Sequence, residues 1–72
     1  MNNLNVAKIQ LNGFPYEIHD GTNLNELLNK LKIHKNKVAI EVNGEIVARN
    51  KYSNLILNKD DKVEIVHFIG GG

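Results

Sequence analysis

Apolar and polar residues alternate with a period of two from Val6 to Leu11, with Ala7, Ile9 and Leu11 on one face and Lys8 and Gln10 on the other. That is the pattern of a half-buried strand. Asn12-Gly13 follows at once, and Asn-Gly supplies the two positive-φ residues of a type I′ turn, so a second strand from Phe14 to about His19 should fold back on the first. Phe14, Tyr16 and Ile18 then share its inner face. Pro15 cannot donate to a sheet ladder, which predicts an edge position or a bulge for this strand.

The period changes after Asp20-Gly21. Leu24, Leu27, Leu28 and Leu31 stand at i, i+3, i+4 and i+7, one stripe of a helix facing a sheet. Asn23 with Glu26 three residues on resembles a capping box, so the helix should start there and run to about Lys32. Lys30, Lys32, His34, Lys35 and Lys37 gather around its end, where the helix dipole favours positive charge. Val38, Ile40 and Val42 alternate with Ala39 and Glu41, and a second turn pair, Asn43-Gly44, leads into Ile46-Val47-Ala48, predicting a third strand and a hairpin. Arg49 to Asn54 reads as a loop, Leu55 to Leu57 as either a short strand or a 3₁₀ turn, and Asn58 to Asp61 as a polar turn. Lys62 to Phe68 is the last strand, with Ile69-Gly70-Gly71-Gly72 trailing from it. One leucine-faced helix is available to cover one side of one sheet, which predicts an α+β roll.

Composition narrows the role. Seventy-two residues make one domain, because a chain this short buries only about 60% of its unfolded surface and cannot support two cores. It is poorly placed to enclose a substrate by itself. Apolar residues at 42% and charged residues at 24% give an ordinary globular balance. Without cysteine there is neither a disulfide nor a thiolate zinc site, and the expected home is a reducing cytoplasm. The net charge of +1 is spread along the chain without a long block of either sign, which does not suggest nucleic-acid binding. No basic segment leads into an apolar run near Met1, and no apolar stretch approaches the length of a bilayer span, so neither secretion nor a membrane is expected. The twelve asparagines are scattered and read as compositional bias.

The side chains assemble no active site. His19, His34 and His67 fall in three different elements with no i, i+4 pair, so no metal site is expected. Ser53, the only serine, sits in a loop without a nucleophile-elbow pattern. Asp60 and Asp61 are adjacent in a turn and point apart, which fits a solvated turn better than an acid/base pair. No catalytic side chain is assigned, and the protein is not expected to be an enzyme.

The tail is different. Three consecutive glycines after an apolar strand have no following element to turn into; the bland alternative is a loose terminus. Glycine lacks a β-carbon, so Gly70 and Gly71 can thread a narrow channel in a partner as part of a flexible extended ribbon. The Gly72 carboxylate is then unhindered, ionised at neutral pH and able to attack the α-phosphorus of ATP held by a partner. Exchange of the resulting acyl-adenylate with a sulfur nucleophile would leave a thiocarboxylate at Gly72. The strand before it offers a second hint. With Val63 and Ile65 facing the core, parity places Val66 and Phe68 on the opposite face, next to Ile69, as a docking surface; a twist or bulge at the strand end would instead bury Phe68.

These residues resemble the ThiS family of sulfur carriers in bacterial thiamine thiazole synthesis. The resemblance runs from about Val6 onward and is carried by Asn23-Leu24-Asn25-Glu26-Leu27-Leu28, by Val38 to Val47 with Val42-Asn43-Gly44, and above all by Glu64-Ile65-Val66-His67-Phe68-Ile69-Gly70-Gly71-Gly72. It implies a ubiquitin-like β-grasp fold with a mixed four- to five-stranded sheet. It also implies adenylation of Gly72 by a ThiF-like, E1-related enzyme that uses ATP and Mg, with no cofactor bound by the chain itself. Sulfur would come ultimately from cysteine through a donor such as a cysteine desulfurase, and the thiocarboxylate would feed thiazole synthase, ThiG. Two positions depart from the family pattern: Ala48 stands where proline is frequent, and Asp60-Asp61 replaces a Gly-Asp turn. The alternatives are the small subunit of molybdopterin synthase, which places a proline-containing segment before its glycines where this chain has His67-Phe68-Ile69, a carrier for another thiolation pathway, and a ubiquitin-like interaction module that is never activated.

Overall fold

The structure, a computed structural model, describes residues 5–69. Five strands form one mixed sheet: β1 (Val6–Leu11), β2 (Phe14–His19), β3 (Val38–Val42), β4 (Glu45–Ile46) and β5 (Lys62–His67), in the order β2-β1-β5-β3-β4. One helix, α1 (Leu24–Leu31), lies against one face, and two short 3₁₀ turns span Lys35–Lys37 and Arg49–Lys51. The two strands at the centre, β1 and β5, run parallel, while β1–β2, β3–β5 and β3–β4 are antiparallel. That is an α+β, ubiquitin-like β-grasp arrangement.

Local chemistry sets each element. Both Asn-Gly pairs sit at positive φ, Asn12 at 48° with Gly13 at 87° and Asn43 at 54° with Gly44 at 86°, the conformation that lets a two-residue turn follow the twist of its strands. Pro15 lies on β2, an edge strand, where its missing N–H costs no ladder bond. The capping box is formed: Asn23 Oδ1 accepts from the Glu26 N–H at 2.8 Å and Glu26 Oε1 accepts from the Asn23 N–H at 3.0 Å. Lys32 ends the helix in the left-handed conformation, at φ 60°.

Leu24, Leu27 and Leu28 close over Ala7, Ile9, Ile18, Val38, Ile40, Val63 and Ile65 to make the core, with Leu31 packed at its margin. Two expectations are corrected. Phe14, placed on the inner face with Tyr16 and Ile18, is 74% exposed, because it opens the edge strand opposite Leu11 where the core has already thinned. The strand expected over Ile46-Val47-Ala48 is shorter and begins earlier; Val47 still donates to the Ile40 carbonyl at 2.9 Å, but Ala48 then leads into the second 3₁₀ turn.

The 49–58 stretch does more than connect. Tyr52 and Leu57 are buried in the core. The Tyr52 and Leu55 carbonyls accept from the Asn25 and Leu24 N–H groups, two of the amides that a helix start leaves without intrahelical partners. Leu55 to Leu57 is extended, joined to the helix entrance by one bridge between Ile56 and Asn23 and by the Leu57 N–H to the Thr22 carbonyl.

Candidate functional site: the root of the C-terminal tail

Gly70, Gly71 and Gly72 lie outside the described residues, so the geometry that bears on the tail is that of its root, residues 62 to 69. The last strand ends at His67, one residue short of the expected Phe68, but the alternation is clean: Val63 and Ile65 are buried, whereas Val66 is 57% exposed on the other face and Phe68, just past the strand, 58%. Ile69 is almost wholly exposed. The strand does not twist to bury Phe68.

Three contacts fix where the chain leaves the sheet. On one side, β3 runs alongside β5 as far as Val38 opposite His67, and the Phe68 N–H donates to the Lys37 carbonyl at 2.9 Å. On the other side, β1 pairs with β5 only as far as Leu11 beside Val63. There the Asn12 side chain takes over from the strand: its Oδ1 accepts from the Ile65 N–H at 2.7 Å and its Nδ2 donates to the Ile65 carbonyl at 3.2 Å. A carboxamide carries the same donor and acceptor as a peptide group, so Asn12 satisfies the edge of β5 for one more residue. Beyond it β5 is flanked by β3 alone.

The third contact is Arg49. Its Nε donates to the Lys35 carbonyl at 2.9 Å, and its guanidinium lies 5.9 Å from the centre of the Phe68 ring, at the outer limit of a cation–π interaction. The ring thus has a cation near one face and remains 58% exposed. Neither Asn12 nor Arg49 is marked as a site residue by sequence pattern: Asn12 reads as a turn residue and Arg49 as part of a polar loop.

The remaining candidates are not brought together. His19 ends β2, His34 precedes the first 3₁₀ turn and His67 lies in β5. Asp61 is a turn residue, accepting from the Asn58 N–H at 2.7 Å and from Asn43 Nδ2 at 2.9 Å. Ser53 contributes its carbonyl to Asn23 Nδ2. An open groove of about 710 Å³ beside the β3–β4 hairpin is lined by Val42, Glu45, Ile46, Lys51, Ile56 and Asp61, among others.

The model of the ThiS family matches residues 9–72. The chain belongs to the ThiS family. Among its relatives, the sulfur carrier protein ThiS of Bacillus subtilis is 36% identical over 66 residues, covering 89% of this chain and 98% of that protein. A thiazole synthase of Magnetococcus marinus is 48% identical over 65 residues, 90% of this chain but 20% of the relative; the chain therefore spans about a fifth of that longer protein. The crystal structure of the thiamine biosynthesis protein ThiS from Geobacter metallireducens superposes with a TM-score of 0.78 at 32% identity, over 90% of this chain and 99% of that one. The ThiS match runs through Gly70, Gly71 and Gly72 as well as the tail root.

Proposed function

We propose that the protein is the sulfur carrier of thiamine thiazole synthesis and that Gly72 is its working group. A ThiF-like enzyme, using ATP and Mg, joins the Gly72 carboxylate to the α-phosphorus with loss of pyrophosphate. A persulfide charged from cysteine, as by a cysteine desulfurase, then displaces AMP to give an acyl disulfide; a partner thiol attacks its outer sulfur, forming a new disulfide and releasing the Gly72 thiocarboxylate, which donates its sulfur to thiazole synthase. Catalysis and nucleotide binding belong to the partners; the carrier, working in the cytoplasm, supplies a handle and a reactive end. The observation that carries this reading is the ThiS match extending over the three glycines, joined to a root that ends in an exposed Phe68 and Ile69. The likeness of most of this chain to a segment of a thiazole synthase supports that enzyme as the acceptor. Gly70 and Gly71 thread the partner's channel while Val66, Phe68 and Ile69 dock outside it. No described helix is long and apolar enough to cross a membrane.

The test is intact mass after incubation with the ThiF-like enzyme, Mg-ATP and a sulfur source. The expected result is a gain equal to replacing one oxygen by sulfur, localised to Gly72 and lost when Gly71 and Gly72 are deleted. No gain, with an enzyme active on another carrier, would point to an interaction module that is never activated.

A further inference from the structure

The net charge of +1 conceals a segregation that the fold creates. Three stretches meet around the Phe68 ring: residues 31–39, through the Lys37 and Lys35 carbonyls; residues 48–51, through Arg49; and residues 65–69 themselves. They carry Lys35, Lys37, Arg49 and Lys51, besides Lys32 at the end of α1 on the helix-covered side, and none of the eight acidic residues. His34 and His67 lie in the same stretches. On the open face the first acids are Glu41 and Glu64, directly opposite each other two rungs beyond the Ala39–Val66 pair. Like charges set face to face across a sheet are unfavourable, and this pair gives the face an acidic middle beside its cationic end.

Arg49 stands at the centre of the cationic end. Only its Nε is engaged in a hydrogen bond among the described residues, and the planar guanidinium has five N–H donors in a fork that matches a carboxylate. Fixed by Lys35 and near Phe68, it leaves the other four donors beside an exposed apolar ring.

We propose that the cationic end is the electrostatic half of the docking surface, and that Phe68 enters an apolar pocket on the activating enzyme whose rim carries carboxylates facing Arg49 and Lys37. The occupant is a protein surface because the charge surrounds apolar Val66, Phe68 and Ile69, which a purely phosphate-bearing partner would leave unsatisfied. The inference rests on the carrier reading and adds the chemistry of the partner.

The experiment measures binding of the full chain to the ThiF-like enzyme of the same organism at salt concentrations on either side of ~0.1 M, where charge is screened beyond about 10 Å. Arg49→Glu and Lys37→Glu should each weaken binding about tenfold or more and flatten the salt dependence. Lys59→Glu, in the turn at the other end of the sheet, should change little. Lys37 uses only its main-chain carbonyl at the root, so its variant reports on charge even if Arg49→Glu loosens the fold. Salt-independent binding, equal effects of the Lys37 and Lys59 variants, absence of binding, or tighter retention on tRNA or phosphatidylserine vesicles than on the enzyme would each overturn the proposal. Binding with the expected charge dependence but no mass gain at Gly72 would sink the carrier reading and leave this inference standing. Mass gain with charge-insensitive binding would do the reverse.

Discussion

The two halves of β5 have nearly the same composition and opposite fates. Val63 and Ile65 are buried under α1, with β3 on one side and β1, extended by the Asn12 carboxamide, on the other. Val66 follows in the same strand and Phe68 directly after its end; both are flanked only by the β3 side and lie more than half exposed. Residue type does not separate them; parity and neighbours do. A strand can therefore be anchored by its first half and offered by its second, which is what a protein needs if its chain must leave the sheet at a fixed place and angle.

The largest effect should come from truncating the two halves in turn. Ile65→Ala removes a side chain from the packed core opposite Ile40 and is expected to cost about 2–5 kcal/mol, whereas Val66→Ala, one residue along, should cost less than about 1 kcal/mol. Urea unfolding of the two variants measures both. Similar losses would mean that Val66 is also packed and that the contrast is false.

The boundary between the halves is the next target. Asn12→Gly keeps the positive φ of the turn but deletes the carboxamide that serves Ile65, and should cost about 1–2 kcal/mol with faster hydrogen exchange at the Ile65 amide. Asn12→Ala adds a side chain poorly suited to φ 48° and should cost about 1 kcal/mol more. If the Gly variant is neutral, water replaces the carboxamide without penalty and β1 alone sets the boundary.

Much of this architecture can be read from the sequence because the signals are local. The two Asn-Gly turns, the Asn23–Glu26 box and the leucine stripe each depend on residues a few positions apart, and all form as expected. The parity of Val63, Ile65, Val66 and Phe68 likewise needs only the strand. What escapes is set by contacts between distant segments. Tyr52 lies in a polar run with no periodicity and is buried because the 49–58 stretch must supply carbonyls to the start of α1. Phe14 is exposed although its strand alternates correctly, because alternation fixes a face and not how far the helix covers it. Arg49 and Asn12 reach partners 14 and 53 positions away, a relation that no window along the chain displays.

The two departures from the family pattern provide the smallest and sharpest test, since they fall at opposite ends of the sheet. Asp60 holds φ 70°, a conformation glycine adopts without strain. Asp60→Gly should therefore stabilise the protein by up to about 1 kcal/mol at the anchored end, while leaving partner binding unchanged. Ala48 sits at φ −67°, ψ 146°, close to the values proline prefers, and its N–H makes no hydrogen bond outside the strand ladders among the described residues. Ala48→Pro should add about 0.4–1 kcal/mol by restricting the unfolded chain. It differs from Asp60→Gly in what it touches, because residue 48 immediately precedes Arg49 and caps the 3₁₀ turn that carries it. A stiffer entry to that turn holds the guanidinium over Phe68 before the partner arrives, so the proline variant should also bind the activating enzyme slightly tighter, through a slower off-rate. Thermal unfolding and binding kinetics of the two variants separate the cases: equal stabilisation with a binding gain only for Ala48→Pro locates the working surface at the tail end, and a matching gain for Asp60→Gly would show that overall rigidity, rather than the placement of Arg49, governs docking.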